Sequence, residues 1–471
     1  MVLAPAVLRE LAEAVGAAWC RTDEASRDAC AADALRIPCR PDAVVCPAST
    51  AEVVRVVRVC AAAGVPMVVR GAGTGYTGGA VPVAGGVVIS MERFTRILEI
   101  DPLNLVAVVE PQVITGDLQR AVEAVGLFYP PDPASLEQSS IGGNVAECAG
   151  GPRAFKYGTT KRYVLGLEAV LPTGEVIRTG SKAVKNVVGY DLTQLLVGSE
   201  GTLAIITQVT LRLIPRPSAR AVILAGFSGV GPAVDAVTAL IARRVVPAAV
   251  EFIDDRSLDA LRRHAPSTAI PADATAMLIA EVDGTPAAVE ADATAVTAAF
   301  RSTGARGVVR ADGAAEIEAI WTLRRQLSYA LRATGLTKIN HDVVVPRGRV
   351  PALMETVAAL RRELDLDIAC FGHAGDGNIH VNVMIPPGDA DARARGAEAE
   401  SRLFAAVVAL EGSISGEHGI GFTKARFLGL ELDAAQIALM RRVKAAFDPA
   451  GLLNPGKIFP TDTEETWQRS R

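Results

Sequence analysis

The chain has 471 residues, with 48 Lys and Arg against 52 Asp and Glu for a net charge of -4, and half of its residues are hydrophobic while only 4% are aromatic. That length exceeds one typical core and predicts two or three domains, and the slight acidity leaves no basic footprint for nucleic acid, so the ligand is expected to be small. The seven cysteines (Cys20, Cys30, Cys39, Cys46, Cys60, Cys148 and Cys370) form no C-x-x-C pair, which argues for a reducing compartment and against a disulfide scaffold or an iron-sulfur cluster within the chain.

The N-terminal stretch MVLAPAVLRELAEAVGAAW carries Arg9, Glu10 and Glu13 among its apolar residues and no basic leader, and reads as an amphipathic helix rather than a signal peptide. Residues 49–64 open with a capping box from Ser49 and Glu52, place Val53, Val56, Val57 and Cys60 on one face and stop at Gly64, which predicts a helix. A β-branched strand, VPMVV, comes next and runs into the loop RGAGTGYTGGA. The uncharged run from Gly71 to Met91 is long enough to span a bilayer, but its Gly, Thr and Pro content points to loop and strand. Further strands are expected at 86–90, 105–110, 164–171 and 202–213, with a helix at 115–125. The prolines of IPRPSAR (214–220) mark a domain boundary. Beyond it, helices are expected near 231–243, 286–302, 314–333, 349–363 and 395–411, and strands near 221–227, 275–282 and 342–345.

Gly73, Gly75 and Gly78 satisfy G-x-G-x-x-G after a strand, but a Rossmann site needs a helix to begin there. Pro82, Gly85 and Gly86 would interrupt any such helix, so the loop is read as a nest of backbone N–H groups able to hold a diphosphate without one. A second glycine-rich segment, PPDPASLEQSSIGGNVAECAGGPRAFKYG (130–158), and a third, VGSEGTLAIITQVTLRL (197–213), suit one long cofactor.

Two of the five histidines fall in FGHAGDGNIHVNVM (371–384). His373 and His380 are seven apart, so on one regular strand they would point to opposite faces. The Gly375-Asp376-Gly377-Asn378 turn folds the strand back and lets both imidazoles converge. Asn378, His380 and Asn382 then share one face, with Ile379, Val381 and Val383 on the other. In EGSISGEHGIG (411–421), Glu417 beside His418 reads either as a satisfied polar pair or, with the two histidines, as a three-donor set that leaves a divalent metal open to substrate. Such donors suit Zn²⁺ first, and Mn²⁺ or Fe²⁺ as well. His264 is expected at an exposed helix end, and His341 near Lys338, where it would face the substrate.

RGAGTGYTGGA, PPDP with SIGGNVAECAGG, KNVVGYDL and GSEGTLAIIT together resemble the FAD-binding domain of the p-cresol methylhydroxylase and vanillyl alcohol oxidase class. GHAGDGNIHVN, SGEHGIG and FDPAGLLNPGKIFP resemble the C-terminal half of FAD-linked 2-hydroxy acid dehydrogenases: the glycolate oxidase FAD subunit, D-lactate dehydrogenases and D-2-hydroxyglutarate dehydrogenase. The likeness covers residues from about 40 to 460. It implies an α+β fold with a two-part FAD-binding domain (1–217), a substrate domain of antiparallel sheet and helices that carries the metal site (218–425), and a C-terminal segment (426–471) packing back on the first. It implies FAD bound by Arg70, Gly71, Gly73, Thr74, Gly75, Asp132, Ser140, Gly143, Asn144, Glu200, Gly201, Ile206 and Asn454. Some relatives tether the flavin through a histidine in the first loop; Thr74 and Gly75 stand there here, so non-covalent FAD is expected.

By the same resemblance His373, His380 and Glu417 are metal ligands and His418 is the catalytic base. WTLRRQLSYALRATGLTK (321–338) would bind substrate, Arg324 clamping its carboxylate and Lys338 adding a second cation, with Asn382 and Ser328 beside them. The implied reaction is oxidation of a small 2-hydroxy acid, glycolate or D-lactate, with D-2-hydroxyglutarate as the alternative. Electrons would leave to an iron-sulfur subunit, an electron-transfer flavoprotein or a quinone-linked chain. The expected location is cytoplasmic, without a transmembrane segment, reaching a membrane only through a partner. Two other classes stay open at this level: a metallohydrolase using the three donors without flavin, and a non-catalytic flavin subunit of a larger oxidase.

Overall fold

The residues after Ser49 form a helix capped at both ends, and its construction shows how local sequence sets the first unit. In this computed structural model, which describes residues 3–266 and 270–460, the helix Thr50–Ala63 starts where Ser49 Oγ accepts from the Glu52 N–H and ends at Gly64 with φ 63°. The Glu52 carboxylate takes the N–H of Ala48 at 2.8 Å, one residue upstream of the partner a capping box would use. Val53, Val56, Val57 and Cys60 are buried as the periodicity required. Met1, Val2 and residues 461–471, the ends of the first and last expected segments, lie outside the described residues.

The chain divides into two units: Met1–Gly150, Thr159–Arg216 and Glu417–Arg471 form the first, and Gly151–Gly158 with Pro217–Gly416 the second. The divisions expected from the sequence fall after residues 217 and 425. In the first unit, a four-stranded sheet runs Cys20–Arg21, Ala43–Val45, Val87–Ser90, Met67–Arg70, the last three strands parallel. A five-stranded antiparallel sheet runs Ile97–Asp101, Val106–Val109, Ile205–Arg212, Val164–Val170, Val176–Gly180. The first glycine loop leaves the strand Met67–Arg70 and reaches the next strand at Val87 with no helix between them, so the Rossmann reading fails as the prolines and glycines predicted.

The second unit is built on a seven-stranded antiparallel sheet in the order Arg306–Ala311, Ala219–Phe227, Ala276–Gly284, Ala249–Ile253, Asp367–His373, Asn378–Ile385, Thr337–Val344. The helices Asp255–His264 and Ala314–Arg332 cover part of one face, closing a core of Leu224, Ile253, Leu258, Leu261, Ile279, Ile320, Leu327 and Phe371. Other helices, including Pro286–Ser302 against Ala219–Phe227 and Ala390–Ala409 against Thr337–Val344, pack on the strands as well. The fold is thus α+β, with the expected helices and strands present to within a few residues. The strands Ala249–Ile253 and Arg306–Ala311 were not foreseen, and the first of them proves central to the site; of the helix Asp255–His264 only its end at His264 was expected.

Candidate active site

Register explains why the two histidines of the hairpin converge. His373 pairs with Asn378 and Phe371 with His380, and side chains of directly opposed residues lie on the same face of an antiparallel sheet. The ring centroids of His373 and His380 are 5.3 Å apart. Gly377 makes the turn possible with φ 88°, in a place where a Cβ would sit 2.0 Å from the carbonyl oxygen of Val345.

Neighbouring strands add buried carboxylates to this face. Glu251 is paired in register with His373, and its Oε1 lies 2.5 Å from His373 Nδ1. Its Oε2 accepts from Nε of Arg324, whose guanidinium stacks 4.8 Å from the ring centre of Phe371. Burial pushes the Glu251 carboxyl upward, but Arg324 and His373 outweigh it and hold the pKa at about 2. Asp342, opposite His380 in register, accepts from Asn378 Nδ2 at 2.6 Å and from the Gly416 N–H at 3.0 Å. It also stands 3.6 Å from His380 Nδ1.

The Glu251 carboxylate on His373 Nδ1 fixes the tautomer in which Nε2 carries the lone pair, the arrangement that metal-binding histidines use. In the second unit Asp342 and His380 offer ligand atoms within 4.8 Å of one another; in the first, Glu417 and His418 do the same. These His, Asp and Glu side chains have the chemistry to hold a divalent metal ion, of an identity their geometry leaves open.

The rest of the expected substrate segment is arranged in the second unit. Lys338 donates to Ser328 Oγ at 2.8 Å, and burial, aided by the positive charges of Arg332 and Arg324, pushes its pKa down to about 7. Asn382 is fully buried, bonding Ala369 O, His380 O and Asn340 Nδ2 at 3.0, 3.1 and 2.8 Å, so it braces the hairpin. His341 points away from this group, onto Glu400 and Phe404 of the helix Ala390–Ala409, which accounts for it without the substrate. His264 is exposed.

In the first unit the glycine loops pack on one another. A Cβ on Gly71 would lie 2.5 Å from Ser140 Oγ, and one on Gly73, at φ 68°, would run into the Arg70 guanidinium. Ser140 caps the helix Ile141–Glu147 by accepting from the Gly143 N–H, and Asn144 Nδ2 donates to Thr115 Oγ1 at 2.7 Å. Asp132 is buried, Thr74 and Gly75 lie on the first loop, and Ile206 lies in the strand Ile205–Arg212.

The third loop and the C-terminal residues tie into the same place. Glu200, at φ 52°, accepts from the N–H groups of Ile420 and Gly421, both at 2.7 Å. Next to it, Gly201 has φ 64°. Asn454 Nδ2 reaches Gly79 O and Glu200 O, both at 2.8 Å, while buried Lys457 donates to Val81 O at 2.6 Å.

Arg70 Nη1, Asp33 Oδ2 and Gln112 Oε1 are buried without a hydrogen-bond partner among the described residues. Such orphaned groups beside a loop stripped of side chains fit an anionic cofactor with polar edges. His418 belongs to this unit too: its carbonyl accepts from Thr77 Oγ1 at 3.0 Å, and Tyr76 stacks on its ring with centroids 5.2 Å apart. Glu251, Asp342, Tyr76 and Thr77 escaped the sequence reading. The only local hint was an acidic residue within an apolar strand, AVEFI for Glu251.

Comparison with known proteins agrees with this architecture. Residues 41–180 match the family described as FAD binding domain, and residues 216–458 that described as FAD linked oxidases, C-terminal domain. Among solved structures, p-cresol methylhydroxylase with substrate bound superposes with a TM-score of 0.79 at 18% identity, covering 96% of each chain, which places the fold in that class. The chain belongs to the FAD-linked oxidase family. It is 41% identical over 425 residues to the glycolate oxidase subunit GlcD of Bacillus subtilis, covering 90% of each chain. It is 35% identical to a D-lactate dehydrogenase of Anaerostipes hadrus (89% and 90% covered), and 34% identical to a D-2-hydroxyglutarate dehydrogenase of Stutzerimonas stutzeri (97% and 99% covered). The protein is therefore an FAD-dependent oxidoreductase of the 2-hydroxy acid dehydrogenase and oxidase group, which sets aside a metallohydrolase without flavin. Among the described residues, no helix is long and apolar enough to cross a membrane.

Proposed function

We propose that the protein oxidises a small 2-hydroxy acid, glycolate or D-lactate, to the 2-oxo acid and passes the electrons to a partner. The observation that carries this reading is the seat of His418, held by Thr77 and Tyr76 on the flavin-binding loop itself. A base placed there serves a substrate oxidised at the flavin. When bound, FAD supplies the acceptor for the C2 hydride, and a divalent cation held by His373, His380 and Glu417 supplies charge that favours the ionised hydroxyl. Arg324 and Lys338 hold the carboxylate, which fixes the face of C2 that is offered. The imidazole of His418 takes the hydroxyl proton. Arg70, Gly71, Gly73 and the residues around Ser140 cradle the diphosphate, and the absence of a histidine at positions 74 and 75 favours non-covalent FAD.

Reoxidation needs an outside acceptor. The B. subtilis relative is named a subunit, which supports a protein partner such as an iron-sulfur subunit; an electron-transfer flavoprotein or quinone-linked chain would serve the same chemistry. Such a partner would keep a cytoplasmic protein peripheral to the membrane. One observation favours a second reading: Lys338 with Ser328 forms a cation-hydroxyl pair suited to a second carboxylate, as in D-2-hydroxyglutarate. Anaerobic reduction by a panel of 2-hydroxy acids decides. Glycolate or D-lactate should bleach the flavin fully, and preference for D-2-hydroxyglutarate would select the second reading. A flavin that dithionite bleaches and no hydroxy acid does would overturn both.

A further inference from the structure

Glu251 is completely buried, and its two oxygens serve different partners: Oε1 lies 2.5 Å from His373 Nδ1 and Oε2 accepts from Arg324 Nε. A buried carboxylate is tolerated only when its lone pairs are met, and here each is met by a residue to which the reading above gives a separate task. The three come from distant parts of the chain. Strand pairing sets Glu251 opposite His373, while Arg324 descends from the helix Ala314–Arg332. Phe371 closes the group: it lies under the Arg324 guanidinium at 4.8 Å and edge-on to His380 at 5.4 Å.

We propose that Glu251 is a positioning residue that couples the two halves of substrate recognition, so that metal ligation through His373 and carboxylate anchoring through Arg324 are linked. The proposal rests on that assignment of His373 and Arg324. A single carboxylate cannot orient both donors independently: losing the guanidinium leaves Oε2 unmet, and the group turns or shifts, carrying the imidazole with it. Arg324 ligates no metal, yet it should set metal affinity. An amide at 251 keeps the shape but has one acceptor oxygen, so it can serve only one of the two donors.

The test is a double-mutant cycle on FAD-loaded protein, reading Mn²⁺ affinity by equilibrium dialysis. Outer-shell changes at metal histidines typically cost about 10- to 100-fold in affinity. Glu251→Gln and Arg324→Met should each weaken Mn²⁺ binding by about tenfold, and the double variant should be no weaker than the worse single one. Histidine-labelled protein supplies a second reading: the His373 ring-nitrogen resonances, assigned by their loss in His373→Gln, should report Nδ1–H in wild type and move in Arg324→Met. Two results overturn the coupling: Arg324→Met binding Mn²⁺ within about twofold of wild type, or a double variant whose loss is the product of the single losses. Wild type that binds no Mn²⁺ overturns the metal reading along with it, whereas metal binding without coupling overturns this proposal alone.

Discussion

Lys338 is a buried cation whose titration is strongly displaced. Burial, then the charges of Arg332 and Arg324, bring its pKa down from 10.5 to about 7. The unfolded chain therefore carries a proton that the folded chain lacks between pH 7 and 10.5, so this residue makes stability rise with pH across that window. Ligand binding runs the other way. A bound carboxylate favours the ammonium, so affinity for a 2-oxo acid should be full below pH 7 and weaken as pH rises, by at most about tenfold per pH unit. Titrating the product into the oxidised enzyme and following the flavin spectrum measures this. Lys338→Arg should flatten the dependence, since a guanidinium stays charged, and a wild-type affinity independent of pH would remove Lys338 from the anion site. Residue types with chemistry of their own, such as His373, His380, Glu417, His418 and Arg324, were legible in the sequence. Glu251 and Asp342 were not. Their roles come from pairing with residues 122 and 38 positions away, and a lone acid in an apolar strand does not say which strand will lie beside it.

Elements with local causes could be read; elements defined by their neighbours could not. The helix Thr50–Ala63 announced itself by Ser49 and Gly64, and the histidine hairpin by its glycine turn. The strand Ala249–Ile253, buried at every position, offers neither alternation nor a cap and looks like any short apolar run. The turn is the most exposed to a single change. At Gly377 a side chain would face a positive φ and the Val345 carbonyl at once. Gly377→Ala should therefore cost about 1–3 kcal/mol in strain, read as a lower urea midpoint, and should weaken metal binding more than flavin binding. The first loop offers the counterpart. Gly73→Val forces a side chain onto the Arg70 guanidinium, and should yield protein with less flavin but an unchanged metal titration. Equal loss of both ligands in either variant would mean that the two loops do not act locally.

At the scale of the whole chain, the division into two units assigns chemistry to separate places, and that assignment can be tested by removing one part. His373 and His380 belong to the second unit, whereas the first and third glycine loops, the second as far as Gly150, and the knot formed by Glu200, Asn454 and Lys457 belong to the first. The sequence showed this much through its motifs. It did not show that the chain enters the second unit early at 151–158 and returns to the first at Glu417, because such crossings depend on packing rather than on composition. Acid precipitation should release the flavin into the supernatant; flavin left in the pellet would show a covalent link. His380→Ala deletes one of three expected protein ligands, and a site with so few donors loses most of its metal affinity. The variant should purify yellow with wild-type FAD content, take electrons from dithionite, and fail to be reduced by glycolate or D-lactate. Chelation of the wild type should produce the same state, reversed by the one divalent ion that restores reduction, which also identifies it. If His380→Ala is reduced by hydroxy acid at a rate near wild type, the metal has no part in the reaction, and His373 and His380 with their carboxylates Glu251 and Asp342 are a polar brace beneath Arg324.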